Sequence, residues 1–127
     1  MKRFLTALAI FVAFAPAAHA ELTSATGPTV NRALHAGKPA VIDLGARTCD
    51  TCRKMVPIIE SLAKEYRGRA GVLFVDVGVD RAAADRFRIQ MIPTQIFFDA
   101  RGREVKRHIG FLEKAAIARE LKGLGVR

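Results

Sequence analysis

The sequence predicts an α/β domain: a three-layer fold with a central mixed sheet of four or five strands flanked by helices. Helical and strand patterns alternate along the chain, which is the order that places helices on both faces of a sheet. The strand patterns over 39–44 and 71–77 are apolar without strict alternation, as expected for strands buried on both faces. The last two strand patterns are joined by the short turn Ala100-Arg101-Gly102, which predicts an antiparallel hairpin at one end.

Each element has a local reason. The first twenty residues read as a targeting segment. Lys2 and Arg3 are followed by the apolar run Phe4–Ala15, then Pro16 and the small-x-small triplet Ala18-His19-Ala20. The expectation is a signal peptide over 1–20, cleaved before Glu21, with export to a bacterial periplasm. Retention as an uncleaved anchor is the alternative, although the run is short for a bilayer. Glu21, not Cys, follows the cut, so a lipid has no acceptor there. Residues 21–27 are small and polar, a flexible N-terminal segment. The domain is expected over 28–127. Pro28 starts a short helix that Gly37 stops, and 39–44 form the first strand. From Cys49 to Tyr66 the residues Cys52, Met55, Val56, Ile59, Leu62, Ala63 and Tyr66 recur three and four apart, an amphipathic helix with Pro57 inside it. Residues 71–77 form a strand. Asp80 caps a short helix to Arg88. Thr94–Asp99 and Arg103–Ile109 form the hairpin, and Glu113–Leu124 a closing helix with Ile117, Leu121 and Leu124 on one face.

The whole chain has a net charge of +9. Without Lys2 and Arg3, 21 basic residues fall to 19 against 12 acidic ones, a net charge of +7. The positive residues are scattered and not interleaved with aromatics, so a solvated basic surface is favoured and no nucleic-acid partner is expected.

There are two cysteines, Cys49 and Cys52, separated by Asp50 and Thr51. Cys49 falls between a buried strand and the first turn of a helix. The partial positive charge and unpaired N–H groups there stabilise a thiolate, the attacking species. Cys52 lies one turn on, along the same face. The pair can form a redox-active disulfide, and Cys52 can attack a mixed disulfide held on Cys49. Arg47 and Arg53 are expected to lower thiol pKa values, and Asp50 to raise that of Cys49. A zinc site needs four ligands, and only His35 and His108 remain after the leader. A c-type haem attachment needs His where Arg53 stands. A purely structural bridge over so short a loop constrains the unfolded chain little.

Taken together, these segments resemble the thioredoxin superfamily over about residues 28–125. Val41-Ile-Asp-Leu-Gly-Ala46 is similar to the family's central strand, and Cys49-Asp-Thr-Cys52-Arg-Lys-Met-Val-Pro57 to its active-site helix. Ile92-Pro93-Thr94 resembles its cis-proline loop, Phe97–Glu104 the strand–turn–strand after it, and Gly110 a glycine near its end. The resemblance implies a thiol–disulfide oxidoreductase with Cys49 attacking and Cys52 resolving, and with no cofactor beyond its own disulfide. Pro93 would be cis against the pair, and the Ile92 backbone would pair with an extended substrate segment. Thr94, Asp50 and Thr51 would lie against substrate. Asp43, a carboxylate in an apolar strand, would handle the proton of Cys52. There are departures from the family: Gly45 and Thr48 stand where tryptophans are usual. Asp-Thr replaces Gly-Pro between the cysteines, and Val72 stands for the lysine that accompanies the buried Asp. No first strand is evident before residue 28, which favours four strands.

The expected activity is reduction of protein disulfides by a monomeric protein outside the cytoplasm, recharged by a membrane thiol-reductase donor. Its alternatives are a disulfide-forming oxidant or isomerase, and a metal-binding module using the two thiols.

Overall fold

The computed structural model describes residues 22–127; the leader and Glu21 lie outside the described residues. The elements follow in the order α1 (Gly27–Leu34), β1 (Ala40–Gly45), α2 (Asp50–Glu65), β2 (Gly71–Asp76), α3 (Arg81–Arg86), β3 (Thr94–Phe98), β4 (Glu104–Ile109) and α4 (Lys114–Gly123). The sheet has four strands in the order β2-β1-β3-β4. β1 runs parallel to β2 and antiparallel to β3, and β3 pairs antiparallel with β4.

All six residues of β1 are buried. Side chains alternate along a strand, so this one strand feeds two cores. Ala40, Ile42 and Leu44 pack with Val30 and Leu34 of α1 and Ala83 of α3. Val41 packs on the other side with Met55, Ile59 and Leu62 of α2 and Ile117 and Leu121 of α4. The α2 residues are spaced three and four apart, which is why one stripe of that helix faces the sheet. Each such side chain contributes about 1.5–3 kcal/mol on burial.

The ends of the elements follow local chemistry. Asp80 Oδ1 accepts from the Ala83 N–H at 3.0 Å and caps α3. In the β3–β4 turn, Gly102 has φ +74, and a Cβ there would lie 2.4 Å from the Leu34 carbonyl oxygen. Only glycine fits both demands. β4 is the exposed edge strand. It carries charged residues, with Lys106 paired to Glu120 and Arg107 to Glu104, and a register irregularity opposite Phe97 and Phe98. These features discourage edge-to-edge pairing.

Two expectations are corrected. Of the segment 21–27, read as flexible, Gly27 begins α1 and residues 22–26 find partners on β2: the Ala25 N–H donates to the Phe74 carbonyl at 2.7 Å. Ser24 Oγ accepts from the Asp76 N–H at 2.9 Å, and Leu22 packs on the α2–α4 core. Small polar composition did not reveal this, because the partners lie about fifty residues away. The second concerns Val72. It pairs in register with Val41, while the β2 residue opposite Asp43 is Phe74. Neither supplies an ammonium group.

Replacing Ser24 by Ala leaves the Asp76 N–H without its side-chain acceptor. The expected cost is about 1 kcal/mol in urea unfolding; no loss would mean that the Ser24 hydrogen bond does not hold the segment.

Candidate active site

β1 delivers the chain to the site. After Gly45 a turn brings the Cys49 N–H to the Ala46 carbonyl at 3.0 Å, and Cys49 becomes the N-cap of α2. Its Sγ accepts from the Cys52 N–H at 3.3 Å. The sulfur therefore takes one of the N–H groups that a helix start leaves unpaired. Cys49 and Cys52 are joined in a disulfide, with Cα atoms 5.2 Å apart. Cys49 is half-buried, whereas Cys52 is 1% exposed.

Gly45 makes room for the buried sulfur. A Cβ on Gly45 would sit 3.1 Å from Cys52 Cβ and 3.3 Å from its Sγ. A side chain there would require Cys52 to give way by a few tenths of an ångström. Asp43 lies two residues back, on the same face of β1. It is fully buried, and Gln95 Nε2 donates to its Oδ1 at 2.8 Å. Burial pushes the Asp43 carboxyl up to about 6, and the Gln95 hydrogen bond pulls the other way.

The Ile92–Pro93 peptide is cis, and Pro93 is buried. Leu44 pairs with Thr94, so the Pro93 loop lies at the end of β1 that leads to the cysteines. The Pro93 carbonyl accepts from the Gly110 N–H at 2.8 Å, which ties the end of β4 to the same loop. Around it Met91, Ile109 and Phe111 are exposed and Ile92 half-buried. Sequence reading passed over Met91, Ile109 and Phe111, because they become one neighbourhood only through the β3–β4 pairing. It also passed over Gln95, although an amide in an apolar strand is the same kind of oddity as Asp43.

Three expectations change here. Thr94, expected against substrate, is 2% exposed, and its Oγ1 donates to the Met91 carbonyl at 2.7 Å. Its backbone lies between β1 and β4, so it shapes the loop from within. Arg47 was expected to act on the thiols. It instead donates to the Leu22 carbonyl at 2.7 Å, lies 3.7 Å from Asp76 and stands over the Phe74 ring. Arg53 and Asp50, expected to pull Cys49 in opposite directions, pair with each other, and the Asp50 side chain is 83% exposed. Exposed pairs of this kind carry little energy. Thr51 is exposed beside the pair. Among the described residues no cluster of three or more His, Cys, Asp or Glu comes together. His35 bonds to the Asn31 carbonyl and His108 to the Phe111 carbonyl.

An N-cap cysteine bonded to a buried cysteine one turn into α2, which packs on the end of β1, forms a dithiol–disulfide exchange site. The thioredoxin family model matches residues 22–123. The thioredoxin of Mycolicibacterium smegmatis is 39% identical over 90 residues, covering 69% of this chain and 80% of that protein. A bifunctional thioredoxin reductase/thioredoxin of Mycobacterium leprae is 36% identical over 88 residues, 69% of this chain but 19% of that protein. Among solved structures, chloroplastic thioredoxin z superposes with a TM-score of 0.70 at 25% identity, covering 83% of this chain and 95% of that one. The chain belongs to the thioredoxin family. It is a thiol–disulfide oxidoreductase of the kind that works through its own cysteines without a cofactor, and the family acts on protein disulfides.

The raised Asp43 carboxyl has a sign for stability. The folded protein holds this proton more tightly than the unfolded chain does. Stability from this group is therefore full below pH 3.8 and is lost as pH rises through about 6. The loss amounts to about 3 kcal/mol. Asp43→Asn should then stabilise the oxidised protein by about 2–3 kcal/mol at pH 8 and by little at pH 4, read by urea unfolding. Equal effects at both pH values would refute the burial argument.

Proposed function

We propose that this protein is an exported dithiol reductant of protein disulfides. The observation that carries the direction is the buried Asp43 carboxyl on the face of β1 that holds Cys52, with Phe74 and Gln95 beside it instead of a cation. Once ionised, it disfavours a thiolate on the pair more than it disfavours the neutral disulfide, which makes the dithiol the better electron donor. Arg47 and Arg53, which would act in the opposite sense, are engaged with Asp76 and Asp50.

The reaction follows from exposure. The Cys49 thiolate, at the helix start, attacks one sulfur of a target disulfide; the second target sulfur leaves as a thiolate and takes a proton. Asp43, two residues before Gly45 on the face of β1 that packs on Cys52, accepts the Cys52 proton. The Cys52 thiolate then attacks Cys49 Sγ, the Cys49–target bond breaks, and the target leaves as its second thiol. Two electrons have passed to the target, and the Cys49–Cys52 disulfide remains. An extended target segment would pair with the Ile92 backbone, which lies before the start of the β3 ladder at Thr94. Met91, Ile109, Phe111, Asp50 and Thr51 would border that segment. Export rests on the leader pattern in residues 1–20, and a periplasmic protein of this kind needs a membrane thiol reductase as its electron source. A monomer suffices for each step.

A second reading, disulfide formation, is favoured by one observation. The Cys52 N–H and the α2 terminus stabilise a sulfur anion on Cys49. The equilibrium reduction potential separates the two. A value near roughly −270 mV is expected for the reductant, and one near roughly −120 mV would make the protein an oxidant.

Cys52→Ser is expected to trap a mixed disulfide between Cys49 and target proteins, whereas Cys49→Ser traps none; the reverse pattern would exchange the two roles. Sequencing of the protein recovered from a bacterial periplasm should begin at Glu21. Retention of the leader in the membrane fraction would replace export of a free protein with anchoring.

A further inference from the structure

Asp43 and Gln95 face each other across β1 and β3, and both are fully buried. Gln95 Nε2 donates to Asp43 Oδ1 at 2.8 Å. Among the described residues, Asp43 Oδ2 and Gln95 Oε1 have no hydrogen-bond partner. The two carboxyl oxygens are therefore unequal: one is held and the other is left over. An apolar side chain in place of Gln95 would avoid burying an unpaired carbonyl oxygen, and the rest of β3 facing the cores (Ile96, Phe97, Phe98) is apolar. An amide kept at this one position, at a cost in desolvation, points to a role besides packing.

We propose that Gln95 is a positioning residue for the thiol chemistry: by holding Asp43 Oδ1 it leaves Oδ2 as the oxygen that takes up the Cys52 proton and returns it. This rests on the Asp43 role proposed above. In the step itself the Cys52 S–H bond breaks, an Oδ2–H bond forms and no electrons move. The later transfer of this proton to the departing target thiolate restores the carboxylate. A lysine in the same place would neutralise the carboxylate; the amide orients it and leaves its charge intact.

The other titratable or charged groups on this face of the sheet are few. α2 brings Cys52 among Met55, Ile59 and Leu62, and α4 brings Ile117 and Leu121. β2 carries Asp76, in register with Gly45 and paired to Arg47. β4 carries His108, in register with Gln95 and bonded to the Phe111 carbonyl, and Lys106, in register with Phe97 and paired to Glu120 of α4. None of these is placed by a hydrogen bond to Asp43 among the described residues, which leaves Gln95 as its polar contact.

The test is Gln95→Met, which keeps length and bulk but loses the donor. The Asp43 carboxyl carbon is titrated by NMR in the oxidised protein. Its midpoint should rise by about one unit, because the lost hydrogen bond favoured the ionised form. In the reduced protein, single-turnover reduction of a model peptide disulfide should fall about fivefold at pH 6 and remain unchanged at pH 9. A packing defect would lower the melting temperature without moving this profile. In an Asp43→Asn background, Gln95→Met should leave the profile where it is. The wild-type protein offers a check that needs no substitution: the Gln95 side-chain amide signals should shift with pH at the Asp43 midpoint. An Asp43 midpoint unmoved by Gln95→Met, or amide signals insensitive to that midpoint, would overturn the role of Gln95 alone. A pH profile that Asp43→Asn leaves untouched would overturn the Asp43 role, and this proposal with it.

Discussion

β1 has water on neither face, because α1 and α3 cover one side and α2 and α4 the other. Everything at the site inherits its position from that strand. Its last residue is the glycine on which Cys52 rests, and the residue two places before is the buried acid. A strand packed on both sides does not slip, since a one-residue shift would turn Asp43 towards α1 and α3 and Leu44 towards Cys52. The start of α2, which carries the redox pair, is therefore packed against one of the most constrained segments of the molecule.

The chemistry at this strand end is a balance between two opposed electrostatic features. The α2 terminus and the Cys52 N–H favour a negative sulfur on Cys49. The Asp43 carboxyl, set deeper on the same side of the sheet, disfavours it once ionised. The arginines near the pair in sequence do not tip this balance, because Asp76 and Asp50 take them up. The low-dielectric interior gives Asp43 leverage that exposed Asp50 lacks. For the same reason Asp43 is a burden on stability above about pH 6, a common price of a working acid held in a core.

Much of this was legible from the residues alone. Cys49, Cys52 and Pro57 stand at helical spacing, and Asp43 and Pro93 stand out against apolar strands. A mixed sheet with helices on both faces and a hairpin at one end followed from alternation and a short turn. What stayed hidden shares one property: it depends on side chains meeting across distant segments. Thr94 looks like a surface hydroxyl until its bond to Met91 and its place between two strands are seen. Arg47 looks like a cation for the thiols until the fold offers it Asp76 and the Leu22 carbonyl. Residues 22–26 look loose until β2 supplies their partners.

By itself the sequence determined the layers of the fold, the helix start that carries Cys49, and the residue types able to exchange a disulfide, because these follow from local periodicity, capping and spacing. Tertiary structure alone decided which charges act on the pair, and that Gln95 is the group against Asp43. Those outcomes depend on register between strands and on burial, and neither has a value until the sheet and its two helical layers have closed around β1.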